Sequence, residues 1–360
     1  MKLCIIGNGL VSLTLANVLI KKNLCVDIVS NRNIQKYDKS RTLGISKSNI
    51  DYFNNEIFNI NKISWFINNI KIYSENLAKN EILDFDNNGE QIFSIIKNYK
   101  LYEILNKNLK KSKYIKFKYG INYKKINYKN YKLVINCDPN HFVCRKFFSK
   151  KLKKNYNSIA YTTTIKHKKI NRNKTAVQTF TNKGPIAFLP ISNKETSVVY
   201  SYRINNDGNK IRIKDLIKKY NPYYSIIKIE DCSKFELKSS NLRNYYVNNI
   251  LAFGDILHTI HPLAGQGFNM SLRDIQNLSK IIDEKISVGL DLDSSICSEF
   301  QNKTKDKNFI FSTGIDWIYE LFNFESNTNL GFISRSIKEV GKNKLINSFF
   351  KKLANTGLRI

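Results

Sequence analysis

The chain lacks any close pairing of cysteines. Cys4, Cys25, Cys137, Cys144, Cys232 and Cys297 form no C-x-x-C and no metal-like spacing, which argues against a structural metal or a disulfide framework. Cys4, Cys25 and Cys137 stand in apolar runs, where cysteine acts as a small hydrophobe, and a reducing compartment is expected. No apolar run approaches the roughly 20 residues that span a bilayer. A strand starting at Leu3 leaves no room for a leader. Acidic residues are scarce: 29 Asp+Glu face 59 Lys+Arg, for a formal charge of +30. No homeodomain, zinc-finger or aromatic single-strand-binding pattern accompanies that excess, so nucleic acid is not an expected partner. The lysines alternate with Asn and Ile through nearly every loop, which reads as a coding bias. Such a surface is still attracted to anionic lipid headgroups. The expected location is cytoplasmic and peripheral on the inner face of a membrane.

What is present starts with a globular composition. The chain has 360 residues, 42% of them hydrophobic and 22 of them Phe, enough for a substantial core and two interwoven units. Leu3-Cys4-Ile5-Ile6 is a continuous apolar run, the mark of a strand buried on both faces of a parallel sheet. Gly7-Asn8-Gly9-Leu10-Val11-Ser12 follows it, then an apolar helix over residues 13–22 and a second strand, Cys25-Val26-Asp27-Ile28-Val29. This is a βαβ unit with a dinucleotide fingerprint. Gly7 permits the tight turn, and Gly9 lets the backbone approach a pyrophosphate. The helix N-terminus offers that phosphate N–H groups and a positive dipole end. Ser12 stands where a third glycine usually lies. The plainer alternative is a strand–turn–helix with no ligand. Ser30 ends the second strand where an Asp or Glu usually binds the ribose, so either binding is weaker or Asn31 takes the role.

A second nucleotide motif lies downstream. Ile250-Leu251-Ala252-Phe253 reads as a buried strand, and Gly254-Asp255 follows at the edge where open α/β sheets bind ligands. Asp255 can hydrogen-bond a ribityl hydroxyl. Gly265-Gln266-Gly267 opens a helix expected to begin near Asn269, with Leu272, Ile275, Leu278, Ile281 and Ile282 at helical spacing. Glycines ahead of a helix start expose N–H groups to an anionic flavin edge.

Gly254, Asp255, His258, Pro262, Gly265, Gln266, Gly267 and Asn269, continued by Arg273-Asp274, resemble the group A flavoprotein monooxygenases, and within them the ubiquinone-biosynthesis hydroxylase family. Residues 175–190, including Phe180, Gly184 and Pro190, resemble that subfamily's central segment. Asp38, Arg41 and Ser46 are similar to its early cofactor-contacting stretch. The resemblance covers nearly the whole chain. It implies an α/β fold: a Rossmann-like FAD-binding domain of the p-hydroxybenzoate hydroxylase type, an inserted antiparallel β-sheet substrate domain and a helical C-terminus. It implies FAD, with NAD(P)H as electron donor, O2, and a prenylated phenol hydroxylated through a flavin C4a-hydroperoxide. It also implies that Gly7, Gly9, Ser12, Arg41, Asp138, Asp255, Gly265, Gln266, Gly267 and Asn269 bind the cofactor. Pro262 would border the reacting oxygen, with His258 either a proton carrier or a loop-orienting residue. His261 carries the same two readings. A third family pattern, Asp-Gly then Ser and Arg, is met only in part by Asp138-Pro139 through Phe142 to Arg145, and Pro139 removes an N–H donor.

The cofactor domain is expected over 1–70, 97–155 and 240–290, and the substrate sheet over 71–96 and 156–239. A hairpin is expected from Ile186–Leu189 to Ser197–Tyr202. Residues 291–360 read as helices, with Phe309, Ile310, Phe311, Ile315, Trp317, Ile318, Leu321 and Phe322 as a packed face or, alternatively, an interface. Partners would be a membrane surface and other ubiquinone-biosynthesis enzymes. Two other functions stay open: a flavin-dependent reductase of the same fold, and an impaired homologue serving as a lipid-binding or assembly subunit.

Overall fold

A computed structural model describes residues 2–31, 38–77, 81–120, 127–204, 212–328, 332–341 and 355–357. The chain opens with β1 (Lys2–Ile6), α1 (Leu10–Lys21) and β2 (Cys25–Ser30), the expected βαβ unit. Next come β3 (Thr42–Ser46), α2 (Lys47–Glu56), β4 (Ser64–Ile67), β5 (Asn69–Ser74), β6 (Glu81–Asp86) and β7 (Phe93–Lys97). Then follow α3 (Asn98–Lys110), β8 (Ile115–Tyr119), β9 (Leu133–Asn136), α4 (Phe142–Phe147) and the long β10 (Lys151–His167). After it run β11 (Thr175–Thr181), β12 (Gly184–Pro190), β13 (Glu195–Arg203), α5 (Ile213–Lys219), β14 (Ile226–Ile229) and β15 (Ser233–Leu242). The chain finishes through β16 (Tyr246–Val247), β17 (Ile250–Ala252), β18 (His258–Thr259), α6 (Gln266–Ser287), α7 (Ser295–Thr328) and α8 (Phe332–Gly341).

Three sheets form among the described residues. The first, ordered β16-β17-β9-β1-β2-β8, is parallel except at β16. Its central strands bury Leu3, Cys4, Ile5, Ile6, Leu133, Val134 and Ile135 completely, and each such Leu or Ile contributes about 2 kcal/mol. Leu13, Leu15 and Leu19 of α1 and Leu272, Ile275 and Leu278 of α6 join the same core. The second sheet runs β18-β15-β10-β13-β12-β11-β5-β6, with β14 beside β10. The expected hairpin is there, with β12 antiparallel to β13 and Ile186 opposite Tyr200. The third sheet, β3-β7-β4, draws β3 and β4 from the expected cofactor segment 1–70 and β7 from the expected substrate segment 71–96 and its boundary. It links the other two: Thr42 bonds Ser197 across 2.8 Å, and the amide of Asn269 on α6 holds β3.

Three details depart from expectation. α6 begins at Gln266 rather than near Asn269, because Gly265 takes φ +63 and turns the chain straight into the helix. Cys25 is exposed at the start of β2 rather than buried. The apolar run on α7 is not one packed face: Ile315 is 7% exposed, whereas Ile310 and Trp317 are 56% and 67% exposed.

Candidate functional site

The first cradle forms where the parallel strands end. Gly7 leaves β1 at φ +105, donating its N–H to Val29 at 2.8 Å. A Cβ there would lie 3.3 Å from the Asp138 backbone and from Ser12 Oγ, so only glycine fits without strain. Gly9 caps α1 in extended conformation with no side-chain cap and no acid in the first turn. Among the described residues, none beyond its own chain neighbours comes within 4 Å of where a Gly9 Cβ would stand. The helix therefore presents uncapped N–H groups and a positive dipole end to the space above Gly9, which suits a pyrophosphate. Ser12 is 1% exposed; it packs beneath the turn rather than facing that space. Asn31, at the exposed end of β2, is where a ribose partner would stand; Arg32 lies outside the described residues.

Asp138 follows β9 and meets this turn from the side. Its N–H bonds Asn136 Oδ1 at 3.0 Å, and its own carboxylate accepts the Asn140 N–H at 2.9 Å. The segment then caps α4 through His141, whose Nδ1 accepts the Val143 N–H at 3.4 Å. Burial pulls the His141 imidazole down to about 4.

The second cradle lies one strand over. Gly254 takes φ +62, and a Cβ on it would come within 3.2 Å of Val11 on the first turn of α1. The two motifs thus pack directly on each other. Asp255 next to it has an exposed side chain, with its carboxyl group set against protein atoms that desolvate it. That burial raises its carboxyl above the usual range, while His258, Arg41 and Lys151 draw it down. Arg41 is exposed, with its guanidinium 4.8 Å from the Phe235 ring. A carboxylate with solvent access and no hydrogen-bond donor among the described residues suits a hydroxyl-bearing ligand. Lys151, whose ammonium burial pulls down, was not singled out from the sequence. Among 59 basic residues it carries no distinguishing signal.

The third part is the turn from Pro262 to Gly267. Gly265 N–H bonds Pro262 O at 3.1 Å, and a Cβ on Gly265 would stand 3.5 Å from the Gly44 backbone. Pro262 is half-buried, Gly265 is exposed, and Gln266 and Gly267 lie in the first turn of α6. Asn269 is different. Its Nδ2 donates to Gly44 O at 2.8 Å and Gly265 O at 3.2 Å. Its Oδ1 accepts from Ser46 N and Asn49 Nδ2, both at 2.9 Å. That uses the whole amide, so Asn269 fastens the turn to β3.

Two histidines hold this loop from inside. His258 Nε2 bonds Asp274 Oδ2 at 2.6 Å with both side chains 1% exposed. Asn308 bonds the other carboxylate oxygen at 2.9 Å. The pair clamps the loop between Asp255 and Pro262 onto α6. His261 is fully buried between the rings of Tyr156 and Tyr319, at 4.9 and 4.2 Å. Burial drives its imidazole down to about 3. Its Nδ1 accepts the Leu263 N–H at 3.2 Å, so the neutral ring carries its proton on Nε2. A ring so enclosed and so weakly basic suits a loop-holding role better than proton transfer at neutral pH. Below the loop, Phe180, Ile260, Leu263, Met270 and Ile315 form a separate apolar cluster.

The family described as FAD binding domain matches residues 132–289. The Dictyostelium discoideum ubiquinone biosynthesis monooxygenase COQ6 is 23% identical over 439 residues, covering 95% of this chain and 88% of that protein. The Escherichia coli K12 3-demethoxyubiquinol 3-hydroxylase is 30% identical over 152 residues, covering 40% of this chain and 39% of that protein. Among solved structures, p-nitrophenol 4-monooxygenase PnpA from Pseudomonas putida DLL-E4 superposes with TM-score 0.76 at 12% identity, covering 99% and 98% of the two chains. Klebsiella pneumoniae HpxO, solved with FAD and uric acid, gives 0.76 at 10% identity, covering 99% and 97%. At such identities the structures speak for the fold alone. Together with the strand-end cradles and the Gly254–Asp274 motif, the family match and the sequence relatives support a ubiquinone-biosynthesis hydroxylase of the FAD-dependent monooxygenase family.

Proposed function

We propose that this protein hydroxylates the aromatic ring of a prenylated phenol in ubiquinone biosynthesis, using FAD, O2 and NAD(P)H. The observation that carries the reading is the convergence of Gly7, Asp138, Gly254 and Asp255 at one edge of the parallel sheet, beside the uncapped start of α1. In this reading Gly7 and Gly9 admit the pyrophosphate, and Asp255 accepts from a ribityl hydroxyl with Arg41 beside it. Gly265, Gln266 and Gly267 face the pyrimidine side of the flavin, and Pro262 borders the substrate. When bound and reduced, FAD supplies the activation of O2 and the transfer of one oxygen atom. The protein's share is orientation and exclusion of water. His258 and Asp274 hold the Pro262 loop, and the Phe180–Leu263 cluster shields it.

A prenyl tail gains about 0.8 kcal/mol per buried CH2, so such a substrate is taken from a membrane. The protein would work as a peripheral cytoplasmic-face protein there, alongside other enzymes of the pathway. No described helix is long and apolar enough to cross a bilayer.

The test is flavin content followed by turnover. Purified protein should show bound-flavin absorbance, phenol-dependent O2 consumption with NAD(P)H, and a product heavier by one oxygen atom. NAD(P)H oxidation that transfers hydride to substrate without O2 uptake would instead favour the reductase reading. Protein that neither retains nor takes up FAD would favour the impaired homologue, for which Ser30, Pro139 and Phe142 are the grounds.

A further inference from the structure

We propose that the outer face of α7 is the surface by which this protein docks on an anionic lipid bilayer. The inference rests on the prenylated-phenol reading for its purpose, while its own observations are independent of that reading.

α7 has two unlike faces. Inward, Ile315 and Tyr319 are 7% and 3% exposed, and Phe322 stacks on Phe180 with ring centroids 3.5 Å apart. Outward, Ile310, Trp317, Ile318 and Leu321 are 56%, 67%, 39% and 43% exposed. Positions 310, 317 and 321 share one stripe of the helix. Between Lys307 and Glu320 the helix has a single carboxylate, Asp316. It faces the body, accepting from Tyr156 Oη and, at 3.2 Å, from Ser239 Oγ. The stripe from Ile310 to Leu321 therefore carries no charge of its own; the exposed Asp306 stands one turn before it, and Glu320 at its flank is paired with Lys154 at 2.9 Å. Such a patch of large apolar side chains marks an interaction surface.

Two occupants are conceivable, and charge chooses between them. A second copy would bring another +30 against the first, a repulsion that an anionic bilayer replaces with attraction. The surroundings agree: Lys150, Lys153, Lys307 and Arg335 are exposed on α7 and on the segments beside it. Each cation near such a surface adds about 1 kcal/mol, and an exposed indole such as Trp317 suits the headgroup boundary. The placement has a consequence for the site. α7's inner face closes the Phe180–Leu263 cluster beneath the Pro262 loop, so a bilayer on the outer face lies about one helix diameter, roughly 10 Å, from it. An apolar tail could cross that distance without entering bulk water.

The experiment is vesicle partitioning of the FAD-loaded protein. The chain has two tryptophans, so a Trp65→Phe background leaves Trp317 as the reporter. Wild-type protein should sediment with phosphatidylcholine vesicles containing phosphatidylglycerol, less as salt rises. Trp317 emission should shift to the blue on binding. Trp317→Ser combined with Leu321→Ser should weaken partitioning by about tenfold or more. Double-variant protein that partitions like the wild type overturns the proposal. So does a wild-type dimer in solution that the double variant turns into a monomer, because the face then binds a second copy. O2 use with a short-tailed, water-soluble phenol separates the two readings. The double variant should match the wild type there, and absence of turnover in both would defeat the functional reading while leaving partitioning to judge α7.

Discussion

Asp27 in β2 and Asp255 beyond β17 belong to the same parallel sheet and end in opposite electrostatic states. Asp27 is 2% exposed and fully served: Lys118 approaches to 2.6 Å, Lys2 to 3.0 Å, and Tyr131 Oη donates at 2.7 Å. Burial alone would raise its carboxyl, but the hydrogen bonds from Lys118, Tyr131 and Lys2 prevail and hold it below the usual range. Asp255 has an exposed side chain, yet desolvation of its carboxyl holds it above that range, because His258, Arg41 and Lys151 draw it down only through space. The first acid stabilises the fold. In the proposed function the second serves a partner from outside the chain. Satisfaction of hydrogen-bonding capacity, more than burial, separates a structural carboxylate from a binding one.

The largest expected effect would turn a third acid into one of the second kind. Asp274 is as well served as Asp27, by His258 and Asn308. His258→Ala removes one of these partners from a carboxylate 1% exposed. The expected cost is about 3 kcal/mol of unfolding free energy, read by chemical denaturation. His258→Ala together with Asp274→Leu should recover part of it. If the single variant is as stable as wild type, the clamp on the Pro262 loop contributes nothing and the distinction fails there.

Gly7→Val tests the cradle without touching either acid. A β-branched residue at φ +105 strains the turn against Asp138 and should weaken FAD binding about a hundredfold. Titration of FAD-free protein, followed by flavin fluorescence, gives the answer. Retained affinity would mean the phosphate does not sit at this turn.

How much of this contrast was legible beforehand depends on sequence distance. The βαβ unit and the β12–β13 hairpin are built from neighbours, so apolar runs and turn residues suffice to draw them. Gly254-Asp255 could be read because its glycine and carboxylate sit in register. Partnerships across the chain could not. Gly265 rests on Gly44, and the Asn269 amide is used by Gly44 and Ser46; no local pattern carries those contacts. Lys151 is hidden among its many like-charged neighbours. On α7 the residues from Phe309 to Phe322 are apolar on both sides of the helix, so the 3.6-residue period could not tell the buried face from the exposed one.

Asp27→Ala should cost about 2 kcal/mol, less than His258→Ala, because Lys2 and Lys118 are 47% and 26% exposed and can regain water. Its pH profile sharpens the comparison. The folded value is depressed, so the contribution of Asp27 is complete above the unfolded pKa of about 3.9. It is lost as pH falls through the lower folded value. Wild type and variant should therefore differ in Tm at pH 7 and converge in acid.

Asp255→Asn should behave in the reverse sense, with the smallest effect. The folded value of Asp255 is raised, so its contribution is present below about pH 3.9 and disappears as pH rises through the folded value. In FAD-free protein, removing that charge should leave Tm at pH 7 unchanged or slightly higher, where Asp27→Ala lowers it. FAD affinity should move the other way. An amide oxygen still accepts from a ribityl hydroxyl but lacks the charge, and a charge-assisted bond exchanged for a neutral one costs about tenfold. One substitution would then leave the fold intact or firmer while weakening the cofactor's hold, a split that a carboxylate serving the fold does not give. A variant that loses Tm without FAD and binds FAD like the wild type would place Asp255 beside Asp27 as a structural acid, and the strand-end edge would need another ribityl partner.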